Sequence, residues 1–155
     1  MSIAERVTQT TWEGPLASGE GKLSKGSSGA LDGLALTWAS RTEQPGGKTS
    51  PEELAAAAHS SCFSMALALK LGENHTPPQR LDVTATVTLD AVDGIPTITT
   101  SQLKVRAQVA GLDAEAFATV VDQAAALCPV SRLFAGATIS VDAELDKTES
   151  PRPAD

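Results

Sequence analysis

Between Pro51 and Gly72 the chain reads PEELAAAAHSSCFSMALALKLG, and its apolar residues recur at helical rather than strand spacing. Leu54, Ala58, Cys62, Met65 and Leu69 follow at steps of four, four, three and four, which places them on one face of a helix. Ser50 suits the N-cap, Pro51 the first helical position, and Glu53 completes a capping box. Glu52 and Glu53 also complement the positive end of the helix dipole, and Gly72 ends the run. At 1.5 Å per residue, the segment Pro51 to Leu71 is roughly 30 Å long.

Elsewhere the period changes to two. Residues 6–13 (RVTQTTWE) alternate and predict a strand, glycines follow at hairpin-like intervals, and Gly33 to Ser40 predicts another strand. Arg41 to Thr49 reads as a loop by its Pro and Gly content. Leu81 to Val92 and the segment from Thr97 to Gly111 predict two strands around the turn DGIP, with clear alternation from Leu103 to Val109. Asp113 caps a second helix, on which Phe117, Val121, Ala124 and Cys128 share a face; Pro129 then ends or kinks it. Ala137 to Asp146 alternates as a closing strand. The order β-β-β-α-β-β-α-β is an α+β plan. It predicts one domain over residues 1–146 and a disordered tail over 147–155.

Composition narrows the function classes. Aromatics are 3% of the 155 residues and tyrosine is absent, so the core is Ala, Val, Leu and Ile. The net charge of −7 repels phosphate-rich partners, which argues against nucleic acid. No uninterrupted apolar run approaches the ~20 residues that span a bilayer. The N-terminus MSIAERVTQTTW lacks the basic-then-apolar plan of a secretion signal, so a cytoplasmic location and no membrane partner are expected.

Both cysteines, Cys62 and Cys128, fall on the expected apolar stripe of a helix. In a reducing compartment they do not read as a structural staple. If the helices pack together, facing positions can satisfy the Cα limit of about 7 Å for a disulfide. Two small apolar residues at a helix contact explain the same pattern, and both readings stand at this point. Burial raises a thiol's pKa, so a reactive Cys62 needs a nearby cation. Arg41, just ahead of the cysteine helix, is the better candidate than Lys70, and Glu52 is the carboxylate a desolvated guanidinium requires. Arg41 as an ordinary exposed loop residue is the competing reading.

The residues SPEEL, AAHSSCFSMAL and LCPVS together resemble the OsmC/Ohr family of thiol-dependent peroxidases. Glu52 stands ten residues before Cys62-Phe63, Cys128-Pro129-Val130-Ser131 matches the second motif, and Arg41 lies twenty-one residues before Cys62. His59 is similar to the OsmC branch; Ser50 in place of the usual Asn keeps the N-cap, and Ser60-Ser61 stand where alanine is usual. The resemblance runs from about Arg41 to Leu145. It implies two central helices packed on antiparallel sheets in an intertwined homodimer.

It also implies a reaction: Cys62 is the peroxidatic nucleophile, Cys128 resolves its sulfenic acid as an intrachain disulfide, Arg41 activates the thiolate and Glu52 orients Arg41. Organic hydroperoxides are the implied substrates, a dithiol of lipoyl type the reductant, and no cofactor or metal is needed. Ten helical residues place Glu52 about 15 Å from Cys62 along the axis. A glutamate cannot span that distance, so Arg41 and Glu52 most simply serve a site whose sulfur belongs to a second chain.

Phe63, Trp38 and His59 are the remaining candidates for the substrate site, and each has a plainer reading as packing or a structural hydrogen bond. His59, Cys62, Cys128 and Glu52 would make a mixed metal set, but one i,i+3 pair is common by chance. His75, Arg106 and Arg132 read as surface residues, with Arg132 a reserve for Arg41. A non-catalytic protein of the same fold, binding a small ligand or sensing redox state through its thiols, is the rival function.

Overall fold

The computed structural model describes residues 1–146 and divides them into two compact units, Met1–Leu54 and the part from Ala55 onward. The expected disordered tail, 147–155, lies outside the described residues.

In the N-terminal unit, strands β1 (Gln9–Glu13), β2 (Glu20–Ser24) and β3 (Ala35–Leu36) form an antiparallel sheet in that order. Gly21 of β2 lies opposite both Trp12 and Leu36, and a Cβ there would meet the Trp12 ring at 3.0 Å and Leu36 Cγ at 3.1 Å. Glycine lets the three strands close there. The predicted strand Gly33–Ser40 is a correction: only two of its residues are strand, and Trp38–Thr42 form a short helix, α1. Thr37 explains the switch. Its hydroxyl accepts from the Ser40 N–H at 3.0 Å while the Ser40 hydroxyl accepts from the Thr37 N–H at 2.9 Å, a reciprocal cap that alternation alone does not reveal. Arg41 and Trp38 are therefore helical, not loop and strand.

The long helix α2 (Pro51–Glu73) starts as expected, with Glu53 N–H bonded to Ser50 Oγ at 3.1 Å. The box is only half closed, because the Glu53 carboxylate accepts instead from the Thr49 hydroxyl at 2.7 Å.

In the C-terminal unit, β4 (Arg80–Val92) and β5 (Ile95–Gln108) make an antiparallel hairpin. Asp93 and Gly94 turn it with φ of 52° and 77°, the left-handed pair that matches strand twist. Asp113 caps α3 (Ala114–Leu127) through the Ala116 N–H at 2.8 Å; Pro129 then opens a five-residue helix, α4 (Pro129–Leu133). The last strand, β6 (Thr138–Leu145), pairs with β5 in parallel, a correction to the antiparallel expectation. The helices between β5 and β6 form a crossover, and a crossover returns the chain in the same direction.

Alternation along β5 buries Ser101, Leu103, Val105 and Ala107, with Val109 just beyond. They pack with Phe63, Leu67 and Leu71 of α2 and Phe117, Val121 and Ala124 of α3. The α2 stripe anticipated from spacing is turned the other way. Met65 is 68% and Leu69 52% exposed, Ala58 is exposed, and Cys62 sits at the margin; His59, Phe63, Ala66, Leu67 and Leu71 face the core. The helix is apolar on nearly every side, so periodicity could not choose a face. By length and composition it also passes for a membrane span, which reading uninterrupted runs missed; one of its faces packs in the core, and charged residues stand at both ends.

Candidate active site

Cys62 and Cys128 come together in the C-terminal unit as two free thiols. α2 supplies Cys62, whose neighbour Phe63 points into the core with no exposed surface. Cys128 is fully buried and belongs to two helices at once, closing α3 and preceding α4 with φ −59° and ψ 115°. Pro129 at the first position of α4 has no N–H, so the first donors of that helix are Val130 and Ser131.

Those donors set the electrostatics. Burial pushes the Cys62 thiol up; the Val130 N–H pulls it partly back, and the adjacent Cys128 pushes it further up. Burial also raises Cys128, but the Ser131 hydroxyl, the Ser131 N–H, Cys62 and the Val130 N–H together outweigh it, leaving Cys128 below its ordinary value. The Val130 N–H thus acts on both sulfurs. Among the described residues the more acidic thiol is Cys128, and no cation is among the groups that act on Cys62.

His59, three residues before Cys62, has no exposed surface. Its Nδ1 lies 2.6 Å from Ser101 Oγ and its Nε2 2.9 Å from Ser131 Oγ. The ring meets Phe134 edge-on at 5.4 Å, and burial lowers its pKa, which favours the neutral imidazole. Sequence reasoning missed Ser131 and Ser101. Ser131 was in view as the last residue of Cys-Pro-Val-Ser. Ser101 gave a signal too, as a hydroxyl at an inward position of an otherwise apolar alternation.

Arg41 and Glu52 form a second constellation, in the N-terminal unit. Arg41 Nε contacts both carboxylate oxygens at 3.1 Å and Nη2 contacts Oε1 at 2.7 Å, a forked, charge-assisted pair. The guanidinium also stacks 5.9 Å from the Trp38 ring. Arg106, expected at the surface, pairs with Asp146 at 2.7 Å, and His75 is exposed. Among the described residues no group of three or more His, Cys, Asp or Glu could hold a metal ion.

A family model described as OsmC-like protein matches residues 44–144. The chain belongs to the OsmC-like protein family. This OsmC-like chain is 43% identical over 137 residues to Peroxiredoxin OsmC of Escherichia coli, covering 88% of this chain and 94% of that protein. It is 35% identical over 109 residues to Organic hydroperoxide resistance protein-like 2 of Staphylococcus epidermidis, covering 68% and 71%. The fold is that of the organic hydroperoxide resistance protein OhrB of Bacillus subtilis, with TM-score 0.65 and 24% identity over 90% of this chain and 98% of that one. An OsmC-like protein of Mycoplasma pneumoniae gives TM-score 0.69 at 13% identity, over 93% and 99%.

Proposed function

We propose that this OsmC-like protein is a cysteine peroxidase that reduces organic hydroperoxides to alcohols. The observation that carries the reading is the pair of thiols side by side in an apolar interior under one shared N–H donor. The names of its relatives, a peroxiredoxin and an organic hydroperoxide resistance protein, support the same chemistry.

In this reading the Cys62 thiolate attacks the distal oxygen of the hydroperoxide. The O–O bond breaks, the alkoxide takes a proton and leaves as alcohol, and Cys62 becomes a sulfenic acid. Cys128 then displaces water from that sulfur to give the intrachain disulfide. An external dithiol, of lipoyl type in the family's pattern, reduces it and is itself oxidised to a disulfide. Phe63 and His59 support Cys62 from the core side, and Trp38 lines the apolar approach. No metal or cofactor takes part.

Cys62 is raised by burial, so its ionisation requires a cation. Arg41, held by Glu52, is assigned that role, and the source is a second chain. Ten residues of unbroken helix rise about 15 Å. The outward row Ala58, Met65 and Leu69 beside Cys62 is the kind of face a second copy covers, which supports reading the site as one shared by a homodimer. The family match crosses the boundary between the two units, which supports reading them as parts of one domain. A cytoplasmic location and no dealings with nucleic acid or membrane complete the proposal.

The test is peroxide consumption by the reduced protein with tert-butyl or cumene hydroperoxide and a dithiol. Turnover is expected, together with its loss in Cys62→Ser. A protein that binds apolar ligands or senses oxidation would take up the peroxide's oxidising equivalent at most once. Turnover that survives Cys62→Ser refutes the assignment.

A further inference from the structure

A row of hydrogen-bonded side chains, Ser101, His59 and Ser131, runs from the middle of the sheet to the first turn of α4, where Ser131 follows the resolving Cys128 by three residues and lowers its pKa. The two hydroxyls that flank His59 have one hydrogen each, and that limits how the row can be arranged. When Cys128 is a thiolate it accepts only, and the Ser131 hydroxyl lowers its pKa by turning its hydrogen to the sulfur. Ser131 Oγ, 2.9 Å from His59 Nε2, must then accept, which puts the imidazole hydrogen on Nε2. Burial keeps the ring neutral, so Nδ1 carries a lone pair and accepts the Ser101 hydroxyl at 2.6 Å. Every bond in the row is then directed toward the sulfur. The far end is fixed, because Ser101 has no exposed surface, and no buried side-chain polar atom is left unpartnered among the described residues.

We propose that His59 is a positioning residue for Cys128: as the Nε2–H tautomer it holds the Ser131 hydroxyl hydrogen on the Cys128 sulfur and so keeps that thiol ready to close the disulfide. The inference deepens the peroxidase reading and rests on it for the closing step. In that step Cys128 releases its proton to solvent and its sulfur pair forms the S–S bond. The S–O bond of the Cys62 sulfenic acid breaks, and the departing hydroxide takes a proton to leave as water. Cys128 is oxidised and Cys62 is reduced, both to the disulfide level. Among the described residues the ionisable groups facing Cys128 are Cys62 from α2 and, through Ser131, His59. Lys104 and Arg106 of β5, Asp122 of α3 and Arg132 of α4 are all exposed.

Three measurements decide it. Nitrogen NMR of the reduced, unmutated protein should find His59 as the neutral Nε2–H tautomer at neutral pH; the Nδ1–H tautomer overturns the proposal. In a Cys62→Ala background, ultraviolet absorbance reports the Cys128 thiolate alone. Ser131→Ala should cut the thiolate fraction near neutral pH about tenfold and Ser131→Thr should restore it, because one charge-assisted hydrogen bond is lost and regained. An unchanged fraction overturns the proposal.

In the protein with both cysteines, Ser131→Ala should form the Cys62 sulfenic acid no more slowly than the parent, because a less ionised Cys128 pushes the Cys62 thiol up less. It should close the disulfide about tenfold more slowly, with the pH profile of closure displaced to the alkaline side. Closure at the parent's rate and pH overturns the role. If the unmutated protein forms no sulfenic acid, the peroxidase reading fails instead, and the tautomer and thiolate measurements still judge the row of hydrogen bonds.

Discussion

Replacing Glu52 by glutamine changes one atom and tests how much the forked pair contributes. Oε1 accepts from both Nε, at 3.1 Å, and Nη2, at 2.7 Å, so the amide oxygen of the replacement can keep those two contacts. The third, from Nε to Oε2 at 3.1 Å, becomes a donor facing a donor, and the negative charge is gone. A charge-assisted hydrogen bond is worth about 1.5–3 kcal/mol. The side chains are 28% and 12% exposed, so solvent screening brings the expected loss of stability nearer to about 1 kcal/mol. Activity is the sharper readout. If the fork holds the guanidinium for the sulfur, misplacing it by a similar energy lowers kcat/KM for tert-butyl hydroperoxide about tenfold, since roughly 1.36 kcal/mol is a factor of ten in rate. Arg41→Lys should do at least as much harm, because an ammonium cannot make the fork. Stopped-flow oxidation of the reduced protein gives the rate, and urea unfolding gives the stability. A Glu52→Gln protein oxidised within about twofold of the parent refutes the assigned role, whatever its stability.

Subunit mixing tests whether Arg41 serves a sulfur on the other chain. Arg41→Ala and Cys62→Ser proteins, each inactive alone, should regain up to half of the parent dimer's activity per mixed dimer; no recovery means the residues act within one chain. After one equivalent of organic hydroperoxide, mass spectrometry should find Cys62 and Cys128 joined within one chain, and Cys128→Ser should leave a sulfenic acid trappable at Cys62. Because burial lowers the pKa of His59, its contribution to stability is complete above the ordinary value of 6.5 and declines as the pH falls toward the folded-state value. The sign follows from the unfolded chain, which binds the proton first on acidification. Urea midpoints should fall on acidification through that range and do so less in His59→Gln, whereas identical profiles would exclude His59 as the titrating group. Phe63→Ala empties a fully buried position and should cost about 3–5 kcal/mol in the same unfolding assay; a loss below about 1 kcal/mol would mean that Phe63 is not part of the core.

Much of the fold was legible because local rules and tertiary demands agree. Asp113 caps its helix, Pro129 stops it, and the inward residues Leu103, Val105 and Ala107 of β5 are the ones alternation selects. The reading failed where local information is symmetric or concealed. α2 is apolar on opposite sides, so spacing chose Met65 and Leu69 while the core took Phe63 and Leu67. The strand expected through Trp38 gives way to a helical turn because two hydroxyls, Thr37 and Ser40, satisfy each other's N–H groups. The direction of β6 depends on the route the chain takes through α3 and α4, which no period of two records. At the candidate site, the cysteines and the Arg41–Glu52 pair were visible as residue types. The contact of Ser101 and Ser131 with His59 was not, because they lie forty-two and seventy-two positions from it and only the fold brings them together.

Ser101 occupies the middle strand of its sheet, opposite Val87 on one side and Ile139 on the other. A backbone clamped from both edges has little freedom to drift, so it serves as the fixed reference from which the imidazole is aimed. The helical end is held less firmly, for α4 is only five residues long and has no side-chain cap. A hydroxyl anchored in mid-sheet and a sulfur at the junction of two helices thus differ in how firmly their backbones are held.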